Sequence, residues 1–144
     1  MDEVVEDGYV WLRRLYPERW IFIHWIEKGD TSMLNTDWVV RERERLEKAY
    51  MEGEEVSEHY LVSFRSEFLG RDAVVTTGLW EQKEKEVGGP FKNYTFYDPL
   101  SGRLYMIDLA IFAPEYAGQK LPFLKRMDIM AHTFRTVYDT VEDE

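Results

Sequence analysis

At 144 residues with 44% hydrophobic side chains, the chain is long and apolar enough for one domain around a single core, which excludes a wholly disordered polymer. It carries 28 acidic against 18 basic residues, a net charge of -10, so its surface repels phosphate backbones and anionic membranes, and nucleic acid is not expected as a partner. It has no cysteine, which excludes disulfides, thiol nucleophiles and cysteine-ligated metal, and no apolar run reaches the roughly 18 residues of a transmembrane segment.

Residues 1–7 form an acidic lead without the basic and apolar regions of a secretion signal, and are expected to fray. Residues 9–16 read as a strand stopped by Pro17, and 20–26 as its hairpin partner, ending at Lys28, Gly29 and Asp30. In the second strand Trp20, Phe22, His24 and Ile26 alternate with Ile21, Ile23 and Trp25. Both faces are apolar, which predicts an interior strand covered on both sides. Asn35 or Thr36 then caps a helix running to about residue 52, with Asp37 in its first turn and Gly53 beyond its end. Its apolar stripe is Trp38, Val39, Leu46, Ala49 and Tyr50. The intervening Arg41, Glu42, Arg43, Glu44, Arg45, Glu47 and Lys48 alternate in sign, the pattern of a solvated face rather than of a nucleic-acid patch.

Residues 59–68 alternate as a half-buried strand with one polar face, and a turn at 70–72 leads into a strand over 73–82. After the charged connection 83–86, Gly88, Gly89 and Pro90 are expected to break the chain before Phe91. Residues 91–97 and 103–112 then form a hairpin around Asp98, Pro99, Leu100, Ser101 and Gly102. Ala113 and Pro114 end the last strand, and a loop through Gly118 leads to a helix from about residue 121. That helix places Phe123, Met127, Met130, Ala131, Phe134, Val137 and Tyr138 on one face, and residues 140–144 are expected to fray. The expected fold class is α+β: a mainly antiparallel sheet of about five or six strands with two helices, in the order ββα-βββ(β)-α. Strands apolar on both faces favour an α/β/α sandwich over helices gathered on one side.

The chemistry-bearing residues are few. His24, His59 and His132 lack the spacing of a metal site, and no catalytic triad, phosphate loop or nucleotide fingerprint occurs. No cofactor is expected. Asp108 stands out as a carboxylate amid the apolar alternation of Leu104, Met106, Ala110 and Phe112. Such a group needs a cation or a raised pKa, and its candidate partners are Arg14, Arg65 and Arg71. With 5 Trp, 9 Tyr and 8 Phe, the rings serve either a core or a ligand groove.

Residues 78–81 (Gly-Leu-Trp-Glu), Gly88 to Phe91 with Tyr94 and Asp98, 103–108, and Phe112-Ala113-Pro114 before an Arg-bearing helix stand in a fixed order. That order resembles the C-terminal half of an uncharacterised family of Bacteroidetes envelope lipoproteins, a domain of unknown function. A weaker likeness extends upstream to 9–14. Such proteins are usually longer and carry an N-terminal lipid-attachment cysteine, and an arginine commonly stands where this chain has Thr77. The resemblance implies the cell envelope, with a membrane tether only through an upstream lipidated segment, and transfers no catalytic residue. Without it, a cytoplasmic setting is the expectation. Three functional readings follow. The first is a non-catalytic module binding an envelope protein or small ligand through an aromatic face of Trp11, Trp80, Phe91 and Tyr94. The second is a hydrolase-like enzyme using Asp108 with His24 as general acid or base. The third is a structural or oligomerising domain with exposed edge strands.

Overall fold

The computed structural model describes residues 2–6, 8–15, 18–50, 53–112, 120–136 and 139. Its strands are β1 (Asp2–Glu6), β2 (Tyr9–Arg14), β3 (Glu18–Ile26), β4 (Glu55–Val56), β5 (Val62–Phe68), β6 (Arg71–Gln82), β7 (Val87–Asp98) and β8 (Arg103–Phe112). Helix α1 (Thr36–Tyr50) follows β3, and α2 (Lys120–Ala131) follows β8. All eight strands form one antiparallel sheet, ordered β1-β2-β3-β8-β7-β6-β4, with β5 on the same side of β6 as β4. The short links between sequential strands dictate antiparallel pairing. Only α1 interrupts the meander, and its crossing lets β8 return beside β3.

The register sorts the side chains into two faces. Trp11, Phe22, Asp108, Asn93, Thr76 and Ser63 stand in one row across the sheet. That face is covered by α1, whose Val39 and Leu46 pack with Tyr9, Phe22, Val74, Leu104 and Met106. On the opposite face Ile21, Ile23, Val75, Tyr94, Phe96, Ile107 and Leu109 meet Met127 and Ala131 of α2. The architecture is therefore α+β with a helix on each side of the sheet, as the two-sided strands imply. β8 is central, and every residue from Leu104 to Ile111 is buried.

Local signals explain the element ends. Asn35 caps α1 by accepting the Trp38 N–H at 2.9 Å. Beyond the helix, Gly53 adopts φ +79° and donates its N–H to the Glu47 carbonyl. At the β7–β8 turn Gly102, at φ +72°, returns its N–H to the Asp98 carbonyl at 2.8 Å.

Other expectations change. The acidic lead does not simply fray: residues 2–6 pair with β2, where an open strand edge supplies backbone partners. Gly88 to Pro90 are no break but the start of β7. The β7–β8 ladder begins only at Phe91 opposite Ala110, so these residues pair with β6 alone, where proline is tolerated. A side chain on Gly89 would overlap the Ile111 carbonyl oxygen, and it is this oxygen that the Trp80 indole reaches at 3.1 Å. β5 starts at Val62, three residues later than expected, and of its side chains only Phe68 is buried. Ala49 and Tyr50 of the expected α1 stripe are exposed, as is Met130 of the expected α2 stripe. Phe134 lies beyond the end of α2 and turns back onto Phe96 and Tyr105. The stops at Pro17 and Pro114, the loop through Gly118, the helix end near residue 52, Val137, Tyr138 and the 140–144 tail fall outside the described residues, as does the side chain of Phe123. No helix among the described residues is long and apolar enough to cross a membrane.

Candidate functional site

The face under α1 carries the polar groups. Arg43 and Glu47 project from α1 into the sheet and are fully buried, as is Asp108 at the centre of β8. Arg43 Nε donates to Asp108 Oδ2 at 2.9 Å, and its Nη2 donates to Oδ1 at 3.2 Å. Asn93 Nδ2 adds a bond to Oδ2 at 2.7 Å, and Thr95 in turn donates to Asn93 Oδ1. The guanidinium lies over the Phe91 ring, 4.3 Å from its centroid. Burial opposes the charge on Arg43, but Asp108 and then Glu47 hold its pKa above the ordinary value. Burial pushes the Asp108 carboxyl upward, opposed by Arg43 and Asn93.

Glu47 sits one turn beyond Arg43, with 3.6 Å between Oε1 and Arg43 Nη2. Neither of its oxygens meets a hydrogen-bond donor, so an ionised carboxylate here has only the nearby Arg43 charge to offset its desolvation. Burial, then the neighbouring Glu54, raises its pKa to about 10. Held neutral, it keeps an O–H to offer the neighbouring Glu54 carboxyl at the end of the helix. The same burial, with Glu47 nearby, pushes the Tyr9 hydroxyl far above its usual range.

Glu54 connects this interior to a cavity of about 500 Å³. Trp11 and Arg13 of β2, Glu18 and Trp20 of β3, and Phe112 of β8 form one side. Trp80 and Gln82 of β6, Lys85 of the following turn and Val87 of β7 form the other, with Tyr50 and Glu54 closing the end beneath α1. Trp20 and Trp80 pack with centroids 5.2 Å apart, and Arg13 bridges to Glu18 at 3.4 Å on the rim. Three lining side chains have buried polar atoms without a hydrogen-bond partner: the indole nitrogens of Trp11 and Trp20, which donate, and Glu54 Oε2, which accepts.

The expected aromatic face is thereby divided. Trp11 and Trp80 converge on the cavity, joined by Trp20 and Tyr50. Phe91 is buried under Arg43 next to Trp20 and Trp80. Tyr94 lies on the opposite face of the sheet, where its hydroxyl donates to Asp128 of α2. Asp108 and His24 share a face but not a site. His24 Nδ1 donates to the Gly8 carbonyl at 2.7 Å and Nε2 meets Glu42, whereas both Asp108 oxygens are taken by Arg43 and Asn93. Against the cost of burial, His24 and Arg45 hold Glu42 down at about 2. With both oxygens enclosed, Asp108 has no reach toward a substrate, and the acid–base reading loses its geometric support.

The partner of Asp108 is none of Arg14, Arg65 and Arg71 but Arg43, from the run expected to be solvated. The missed signal was spacing: residues 43, 46 and 47 follow Val39 by four, seven and eight positions, one inward helical stripe. Alternation in sign along the chain concealed it.

In comparison with known proteins, the family described as Domain of unknown function (DUF4837) matches residues 3–133. No curated protein and no solved structure matches the chain.

Proposed function

We propose that this chain, which belongs to the DUF4837 family, is a binding module that takes a small ligand into the cavity between Trp11, Trp20, Trp80 and Tyr50. The observation that carries the reading is the lining itself: indole and phenol rings combined with buried indole donors and a carboxylate acceptor that lack partners. Cavities of this size with few polar groups among aromatic walls are the usual form of small-molecule sites. The charged lining balances, Arg13 and Lys85 against Glu18 and Glu54, which favours a ligand neutral overall. A hydroxyl both donates and accepts, so it suits the orphaned donors and acceptor together, and a ring face bearing C–H groups suits the indoles. An oligosaccharide has both.

Titrating the chain with cello- and chito-oligosaccharides while following tryptophan fluorescence tests this. A saturable change is expected, weakened about tenfold or more by Trp11→Ala and untouched by Ile129→Ala on the outer surface of α2. No saturable response across the panel, or a response indifferent to Trp11→Ala, overturns it.

The proposal places the module at the cell envelope, supported by the resemblance of its ordered motifs to envelope lipoproteins. Fractionation of cells expressing the native gene should recover it with envelope material; recovery in the cytosol rejects that placement.

A further inference from the structure

Strand β5 closes the sheet on one side with little of its surface buried. Val62 and Phe64 are 55% and 54% exposed, on the same side as buried Phe68, and among the described residues β5 pairs with β6 alone. Its other face presents Ser63, Arg65 and Glu67. Arg65 reaches Asp72 across the strand pair at 3.0 Å. Glu67 stands directly opposite Asp72 in register, a like-charge pairing that costs stability, and among the described residues Glu67 itself has no ion pair with a cation. An exposed edge of this kind is a template for another strand unless something covers it.

We infer that the covering strand is β5 of a second copy of this chain, paired antiparallel about a two-fold axis at Ser66. The sequence Phe64-Arg65-Ser66-Glu67-Phe68 is self-complementary in that register. Arg65 of each copy faces Glu67 of the other, Phe64 faces Phe68, and Ser66 faces Ser66. Shifting the axis to Arg65 places two guanidinium groups opposite each other, and shifting it to Phe64 leaves Glu67 opposite Leu61; neither supplies the cation that Glu67 lacks. The chosen register forms two opposite-charge pairs and links Asp72, Arg65 and the other copy's Glu67 into a network. A two-fold interface also satisfies both edges at once, so the pairing closes as a dimer rather than propagating.

The absence of cysteine makes the register directly readable, because any introduced thiol is the only one in the chain. Paired residues at the axis have Cβ atoms about 4.5–5.5 Å apart. Ser66→Cys is therefore expected to form a covalent dimer under mild oxidation, whereas Ser63→Cys, opposite residue 69 in this register, is not. In analytical ultracentrifugation the native chain should dimerise. Arg65→Glu and Glu67→Arg should each weaken the dimer about tenfold by setting like charges opposite each other, and the double exchange should restore it. A native chain that stays monomeric at several hundred micromolar overturns the inference. So does cross-linking of Ser63→Cys equal to that of Ser66→Cys, or a double exchange no better than either single one.

Discussion

The two faces of the sheet solve the same problem differently. Under α2 the contact is aromatic and aliphatic, and its buried arginine, Arg71, sits at the margin. All three of its guanidinium nitrogens are partnered there: Nε to Asp98, Nη1 to the Leu69 carbonyl and Nη2 to Asp139. Under α1 the buried arginine stands at the centre, with Asp108 and Asn93 beneath it, Glu47 beside it and Nη1 without a partner. A marginal arginine can be rescued by neighbouring groups and water. A central one depends on its carboxylate, because little else can compensate a desolvated charge. The face that buries the costly groups is also the one that opens into the aromatic cavity.

The sharpest way to break this contrast is to remove the carboxylates. Asp108→Ala strands the Arg43 guanidinium and should cost about 3–5 kcal/mol in urea denaturation, whereas the combined Arg43→Met and Asp108→Leu exchange should recover most of that loss. A loss below about 1 kcal/mol would show that the interior pair is not held as described.

The next effect is pH-dependent. The Glu47 carboxyl is raised in the folded chain to about 10, so between its unfolded value near 4.5 and that pH the folded state holds a proton that the unfolded state has released. Stability therefore falls as pH rises through this window. Glu47→Gln keeps a donor for Glu54 without the ionisable group, and should gain about 4 kcal/mol over the native chain between pH 5 and pH 8. Parallel stability curves for the two proteins would refute the assignment.

Smaller effects belong to the other face and the surface. Asp98→Ala leaves Arg71 its bonds to Asp139 and Leu69, and chemical denaturation should show a loss of about 1–2 kcal/mol, clearly below that of Asp108→Ala. At the rim, Arg103 bonds the exposed Glu27 at 2.9 Å, and Glu27→Ala should change stability by less than about 0.5 kcal/mol, fading further in salt.

Much of the architecture was legible. Two-sided apolar alternation in residues 20–26 and 103–112 identified the interior strands, Asn35 and Gly53 bracketed α1, and Gly102 marked the last turn. Less was legible where a backbone edge decided the outcome. Residues 2–6 became a strand because β2 offered free hydrogen-bonding groups, and Gly88 to Pro90 joined β7 through pairing with β6, since the β7–β8 ladder begins only at Phe91. The candidate site was half legible. Trp11 and Trp80 were identifiable as aromatic candidates, while Trp20, Tyr50 and Glu54 joined them only through the packing of α1 over the sheet.

By itself the sequence determined what depends on local chemistry: an acidic, cysteine-free α+β chain, its turns and caps, and the anomaly of a carboxylate at position 108. Tertiary structure alone decided which cation answers that carboxylate, which rings share a cavity and which face each helix covers. The physical reason is distance along the chain. Arg43 and Asp108 lie 65 residues apart, and no local rule joins a helix to the strand it will cover.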